Sequence, residues 1–364
     1  MGEAGSTDAG ETRTIESSHS WIIAAAALTM LSFAAGAPLT VVGGLVPNSE
    51  TLGAGRSLPS LTTSLAYLGT GIGGVVCGLL AGRFGQRAVA MLGGLSILAG
   101  LMIASLAEPW PLLVGIGLGV GLFGNGALFP PMLAYVSLWF DRRRGTALAL
   151  VSSGQYVAGF VWPSVFERSI AGLGWQWTML AYGVVASAVI VTLAAVVLRP
   201  PPVPLSGPGT MRSLPGAKVL GMPPNTALAL LALGSFLCCV PMAMPAAHLV
   251  AFCGDLGIRT SVGAAMLSVL LFSAFLARQF WGWLSDRVGG LWTVFIGGLT
   301  QTVGMLGFLA TQDEAGLFFA AAAYGLGFGG IVPAYGKRGY EAQRQAQARC
   351  VAVRRLPSGP SATA

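Results

Sequence analysis

Ten stretches of this chain are each long and apolar enough to cross a lipid bilayer, and that feature leaves very few folds open. They run over 22–46, 61–82, 88–107, 111–138, 146–166, 176–198, 226–252, 261–285, 291–311 and 315–335. A span needs about 20 mostly apolar residues. Within hydrocarbon every backbone N–H and C=O must be satisfied by the protein itself, which admits only helices and closed barrels. Barrel strands are about half as long and alternate apolar with polar residues, and these stretches do neither. The predicted fold class is therefore all-α and membrane-embedded. Only 9% of the 364 residues are charged and 54% are hydrophobic, against roughly 25% charged in soluble domains. That excludes an ordinary soluble enzyme, a nucleic-acid-binding domain and a disordered chain. The 53 glycines fit helices packed closely in lipid.

The charges that remain give an orientation. With the N-terminus cytoplasmic, the inside segments hold 16 Lys and Arg residues and the outside loops hold three, Arg56, Arg168 and Arg259. Such a bias fixes topology by the positive-inside rule. The first apolar run reads as the first span rather than a cleaved signal, because it is too long and lacks a small-residue cleavage site. A multi-pass protein of the plasma (inner) membrane is expected. Cys77, Cys238, Cys239, Cys253 and Cys350 show no metal-ligand spacing, and no cofactor is implied.

Residues recur at an offset of 203 or 204. Ser32, Phe33 and Pro38 match Ser235, Phe236 and Pro241; Gly78, Arg83 and Gly85 match Gly282, Arg287 and Gly289; GNGALFP (124–130) matches GFGGIVP (327–333). Repeated halves are a hallmark of secondary transporters, with the substrate site between them. The expected organisation is a tail over 1–20, a six-helix bundle over 21–198, a Pro/Gly/Ser-rich linker over 199–222, a partial bundle of four helices over 223–335, and an aberrant polar basic tail over 336–364. By the repeat, an eleventh and a twelfth span should follow. The chain instead turns polar after Tyr335, as if out of frame or truncated; a natural ten-span protein is the alternative.

The two copies of the loop motif carry a resemblance. GLLAGRFGQR (78–87) and GWLSDRVG (282–289) resemble the signature of the major facilitator superfamily, a Gly, then Asp-Arg, then Gly and a basic residue. Gly282, Asp286, Arg287 and Gly289 fit it. In the first copy Gly78, Arg83 and Arg87 fit, and Gly82 stands where the acid belongs. The resemblance implies two helical bundles and a latch at the helix ends that governs switching. Within that superfamily, WFDRRRGTALALVSSG (139–154) and FLARQFWG (275–282) resemble the monocarboxylate and oxalate-formate branch. There an arginine of span eight engages the substrate carboxylate, and Arg278 stands at that position. Gln279 replaces the proline of the usual Arg-Pro pair, and Ala274 replaces an acid of animal members.

Arg278 also stands out without the resemblance, as the one Lys or Arg inside a span. A guanidinium in lipid costs at least about 2.5 kcal/mol, so it should face a wet cavity or a partner, and its planar fork suits a carboxylate. Snorkelling to the surface is the alternative. His248, after Pro241 and Pro245, is read either as a proton carrier or anion donor or as a structural histidine. No acidic residue falls at mid-membrane, so a carboxylate proton relay is not expected. Asn125, Gln155 and Tyr156 are read as interhelical glue or cavity lining. Gly119, Gly121 and Gly124 spell G-x-G-x-x-G, as do Gly325, Gly327 and Gly330. A nucleotide fold needs a preceding strand and a soluble unit, so these are read as helix packing.

The expected function is alternating-access transport of a small, monocarboxylate-like organic anion, by symport or antiport, with a coupled proton as a further partner. The expected partners are that anion and the lipid bilayer, with no nucleic acid and an oligomeric state left open. A truncated non-transporting remnant and a multidrug efflux transporter are the alternatives.

Overall fold

In a computed structural model of the chain, residues 16–43, 57–106, 108–201 and 224–329 are described. All regular structure among them is helical. The elements are α1 (Ser18–Gly43), α2 (Ser57–Phe84), α3 (Gln86–Ala104), α4 (Pro109–Val114), a π-helical stretch (Gly115–Asn125), α5 (Gly126–Ser137), α6 (Arg144–Ser152), α7 (Gly154–Leu173), α8 (Trp175–Val197), α9 (Pro224–Asp255), α10 (Thr260–Val288), α11 (Gly290–Ala310) and α12 (Glu314–Phe328).

Seven helical segments among the described residues are long and apolar enough to cross a membrane: Ser18–Val41, Leu61–Phe84, Gln86–Ala104, Pro109–Ser137, Trp175–Val197, Val262–Val288 and Gly290–Ala310. The other three expected spans are helical as well. The stretch 146–166 is divided between α6 and α7 by a turn at Ser153. The stretch 226–252 lies within α9, and 315–335 begins as α12, beyond which the described residues end at Gly329. The expected tail 336–364 and the linker from residue 202 onward lie outside the described residues.

The buried apolar side chains form two large clusters. The first runs from Ile23 to Leu198 and is built by α1 to α8. The second runs from Leu249 to Tyr324 on α9, α10 and α12 and takes in Tyr156 from α7. Tyr156 is thus a first-half residue seated in the second-half core.

The glycines do what the packing reading expects. A side chain at Gly119 would run into the backbone of Gly100 on α3, one at Gly121 into the backbone of Ala66 on α2, and one at Gly124 into Ile97. Gly325 and Gly327 likewise lie against the backbones of Leu270 and Gln301. The first G-x-G-x-x-G run and the described glycines of the second, Gly325 and Gly327, are therefore helix contacts; Gly330 lies outside the described residues. The first run lies in the π-helical stretch, whose wider turn is rare and is frequently found at functional sites.

Two loop glycines of the repeated motif have backbones that other residues seldom adopt. Gly85 turns from α2 into α3 at φ 84°, and Gly289 turns from α10 into α11 at φ 91°. A residue without Cβ takes that region at no steric cost. Alternation of the helices brings the helix ends and loops with Arg83, Arg87, Arg142, Arg143, Arg144, Arg199 and Arg287 to one end of the molecule, the basic end.

Candidate functional site

The site is built where α10 crosses the broken helix pair α6 and α7. Residues Ser152, Ser153 and Gly154 form the weak point in this otherwise apolar stretch: serines bond locally to backbone, and glycine adds backbone freedom. The chain turns at Ser153. The amide of Tyr156 donates to the carbonyl of Ser153 at 3.0 Å, one residue short of the α-helical step. The carbonyl of Ser152 is left facing α10.

Arg278 takes it. Its side chain is 2% exposed. Nη1 donates to the Ser152 carbonyl at 3.0 Å, Nη2 to the Tyr156 hydroxyl at 2.8 Å, and Nε to the Gly329 carbonyl at 2.7 Å. The guanidinium also lies over the Tyr156 ring, 4.3 Å from its centroid, a favourable cation–π geometry. A buried guanidinium needs such acceptors, because an unpaired charge away from water is strongly penalised. Arg278 therefore does not snorkel; it bridges the halves. Next to it Gln279 Nε2 donates to Ser153 Oγ at 2.6 Å, a second polar tie across the same boundary.

Toward the basic end the crossing tightens. A Cβ at Gly282 would overlap Ala149 and press on the Gly145 backbone, and one at Gly145 would meet the Gly282 carbonyl. One turn beyond Gly282, Asp286 reaches the start of α6. Its Oδ1 accepts from the Gly145 amide at 2.7 Å, and its Oδ2 accepts from the Thr146 amide at 2.9 Å and the Thr146 hydroxyl at 2.8 Å. The first amides of a helix have no partner within it and favour a negative charge. Arg143 precedes the helix and makes no side-chain cap. The carboxylate that serves the helix comes from the other half. Glu16 holds the approach to the same helix, accepting from the amides of Asp141 and Arg143 at 2.9 and 2.7 Å. Buried Arg144 donates through Nε to the Ser137 carbonyl at 2.8 Å. At the basic end, then, the halves are in contact and closed.

Of the residues singled out from sequence, Arg278 meets Tyr156, and Gly282 and Asp286 meet α6. His248 is exposed on α9, Gln155 is exposed on α7, and Asn125 is half-buried at the end of the π-helical stretch. Among the described residues no hydrogen bond joins these three to Arg278. Around Gly78 there is open space. Arg83 lies over the ring of Phe84 at 5.5 Å and Arg287 over that of Trp283 at 4.1 Å. Ser152, Ser153, Thr146 and Glu16 were not singled out, and Gln279 stood out only as the replacement of a proline. The signal for the first two was the Ser-Ser-Gly run inside an apolar stretch.

Known proteins resemble the chain in both sequence and fold. The family model of the Major Facilitator Superfamily matches residues 23–337. Monocarboxylate transporter 13 of Bos taurus is 30% identical over 281 residues, covering 72% of this chain and 61% of that protein. The fujikurins efflux protein of Gibberella fujikuroi is 26% identical over 242 residues, covering 66% of this chain and 49% of that protein. Among solved structures, a double-Trp mutant of XylE superposes with a TM-score of 0.67 at 15% identity, covering 93% of this chain and 88% of that one. At that identity the likeness speaks to the fold alone. The chain spans 59%, 57% and 61% of the length of three curated relatives it matches.

Proposed function

We propose that this chain, which belongs to the Major Facilitator Superfamily, acts as a secondary transporter that moves a small organic anion across the membrane by alternating access. The superfamily is one of transporters and not of enzymes, and the all-helical fold is its fold. The observation that carries the reading is Arg278, a buried guanidinium at the junction of the halves. Arginine at that depth is costly and marks a substrate or ion path. Its fork matches a carboxylate in shape and charge, and the relative named as a monocarboxylate transporter supports that chemistry. His248, Gln155 and Asn125 are proposed to line the path, and an imidazole suits a coupled proton. The N-terminus is proposed to face the cytoplasm of the plasma (inner) membrane, on the strength of the basic-residue bias.

A second reading, efflux of larger apolar compounds, is supported by the relative named as an efflux protein. It calls for a broad apolar path and gives Arg278 no role in substrate choice.

Uptake of radiolabelled pyruvate into proteoliposomes separates the readings. Transport through this chain that falls at least tenfold in Arg278→Gln supports the anion reading. Transport that is unaffected by Arg278→Gln, together with lowered accumulation of lipophilic dyes, supports efflux.

A further inference from the structure

The geometry points to Arg278 as a fork contested by two parties, the substrate anion and the first half of the protein itself. This inference rests on the reading of Arg278 as the anion site. The three bonds of the guanidinium divide by half. Nε is held within the second half by the Gly329 carbonyl. Nη1 and Nη2 both cross the boundary, to the Ser152 carbonyl and the Tyr156 hydroxyl. The edge formed by Nη1 and Nη2 is one that a carboxylate grips with two parallel hydrogen bonds. In the closed conformation two acceptors from α6 and α7 occupy it.

Both acceptors are features of the local fold. The Ser152 carbonyl faces α10 because the helix breaks at Ser153, where the Tyr156 amide turns to the next carbonyl. The Tyr156 ring lies under the guanidinium, so the hydroxyl bond can break while the stacking persists. A buried guanidinium with a bare edge would be unstable. Without an anion the first half fills the edge, and the tie holds the halves together. A carboxylate filling the same edge makes the tie redundant.

Occupancy and closure at the basic end are thereby linked. A ligand shifts a conformational equilibrium only by binding one state better than the other. Here the anion favours the state in which the α6–α7 acceptors have let go. Tyr156 is a positioning residue for the empty protein and competes with the substrate. A Tyr156 that merely lined the cavity as a substrate ligand would have the opposite effect on affinity.

The test uses the full chain in nanodiscs, with pyruvate as the probe and uncharged pyruvamide as the control. Calorimetry measures binding, and hydrogen exchange follows the peptide over 144–156. Tyr156→Phe is expected to tighten pyruvate about threefold to tenfold, the net worth of one hydrogen bond. Pyruvate is expected to speed exchange in that peptide in the parent protein, and pyruvamide to leave it unchanged. The exchange mechanism is overturned, with the anion site intact, if Arg278→Gln abolishes binding while Tyr156→Phe weakens it or leaves it unchanged. It is equally overturned if pyruvate slows the exchange of 144–156 or does not alter it. If Arg278→Gln and Arg278→Lys both bind pyruvate as the parent does, the anion site itself fails, and the proposal with it. Thermal unfolding of each variant establishes that it is folded, and Arg278→Lys keeps the charge where Arg278→Gln does not.

Discussion

The first turn of α6 follows Arg143, a side chain with donors and no acceptor, so the amides of Gly145 and Thr146 have no cap of their own. Asp286 supplies one from the other half, with three bonds between 2.7 and 2.9 Å. Replacing an N-terminal cap costs about 0.5–2 kcal/mol, and a carboxylate adds the attraction of the helix dipole. Asp286→Asn keeps the shape and removes the charge. Hydrogen exchange at Gly145 and Thr146 should then rise roughly fivefold to thirtyfold, on the order of 1–2 kcal/mol. Unchanged exchange there would mean that Asp286 is not what closes the basic end. The signature motif made Asp286 legible in the sequence, but not the object it grips. A helix start with no side-chain cap can be read from the run Arg142–Arg143–Arg144, whereas its partner 140 residues away is joined only by the fold. Arg278 was legible because it stands out in an apolar stretch. Of its acceptors, Tyr156 stood among the polar residues of the spans, but the other two are backbone carbonyls, which every residue carries and no sequence marks.

At the scale of the element, prolines and glycines decide how these helices meet. Pro245 has no amide to donate to the carbonyl of Pro241, one helical step earlier. Tyr324 on α12 fills the gap, its hydroxyl donating to that carbonyl at 2.5 Å and accepting from Gln301 Nε2 at 3.4 Å. Tyr324→Phe leaves a carbonyl without its donor, at a cost of about 1–3 kcal/mol, and should lower the unfolding temperature in detergent by several degrees. Pro245→Ala restores the amide, so in the Tyr324→Phe background it should recover much of the loss. A double variant no more stable than Tyr324→Phe alone would refute this account of the pairing. The helices themselves were legible, because a run of some twenty apolar residues has few other fates in lipid. The break at Ser153 and the π-helical stretch Gly115–Asn125 were not. Both keep an apolar composition, and the departure from the α-helical step comes from neighbours: Gly100 on α3 and Ala66 on α2 press against that stretch, and α10 draws out the Ser152 carbonyl.

At the scale of the whole molecule, the polar ties described above lie along one line, α6–α7 against α10, and run from Arg278 to Asp286, with the ring pair Phe160–Phe275 continuing the line beyond Arg278. Eight residues of helix cover about 12 Å, so the two ties sit at different depths. The Asp286 tie lies at the surface of the basic end and responds to what bathes it. The Arg278 tie is buried and answers to what reaches the centre. If the basic end is the cytoplasmic face, as the charge bias predicts, the closed state has its central arginine approached from the opposite side, and the proposed anion arriving there meets the inner tie first. The premise is open to direct test in whole cells. A cysteine replacing exposed Arg142, in the loop between α5 and α6, and one replacing exposed Arg259, between α9 and α10, should lie on opposite faces. A membrane-impermeant maleimide carrying a polyethylene glycol chain should shift the mass of Arg259→Cys in intact cells and that of Arg142→Cys only after the membrane is opened. The reverse pattern would place the basic end outside. The anion would then release the Arg278 tie from the cytoplasmic side, so the same lock would govern export in place of uptake.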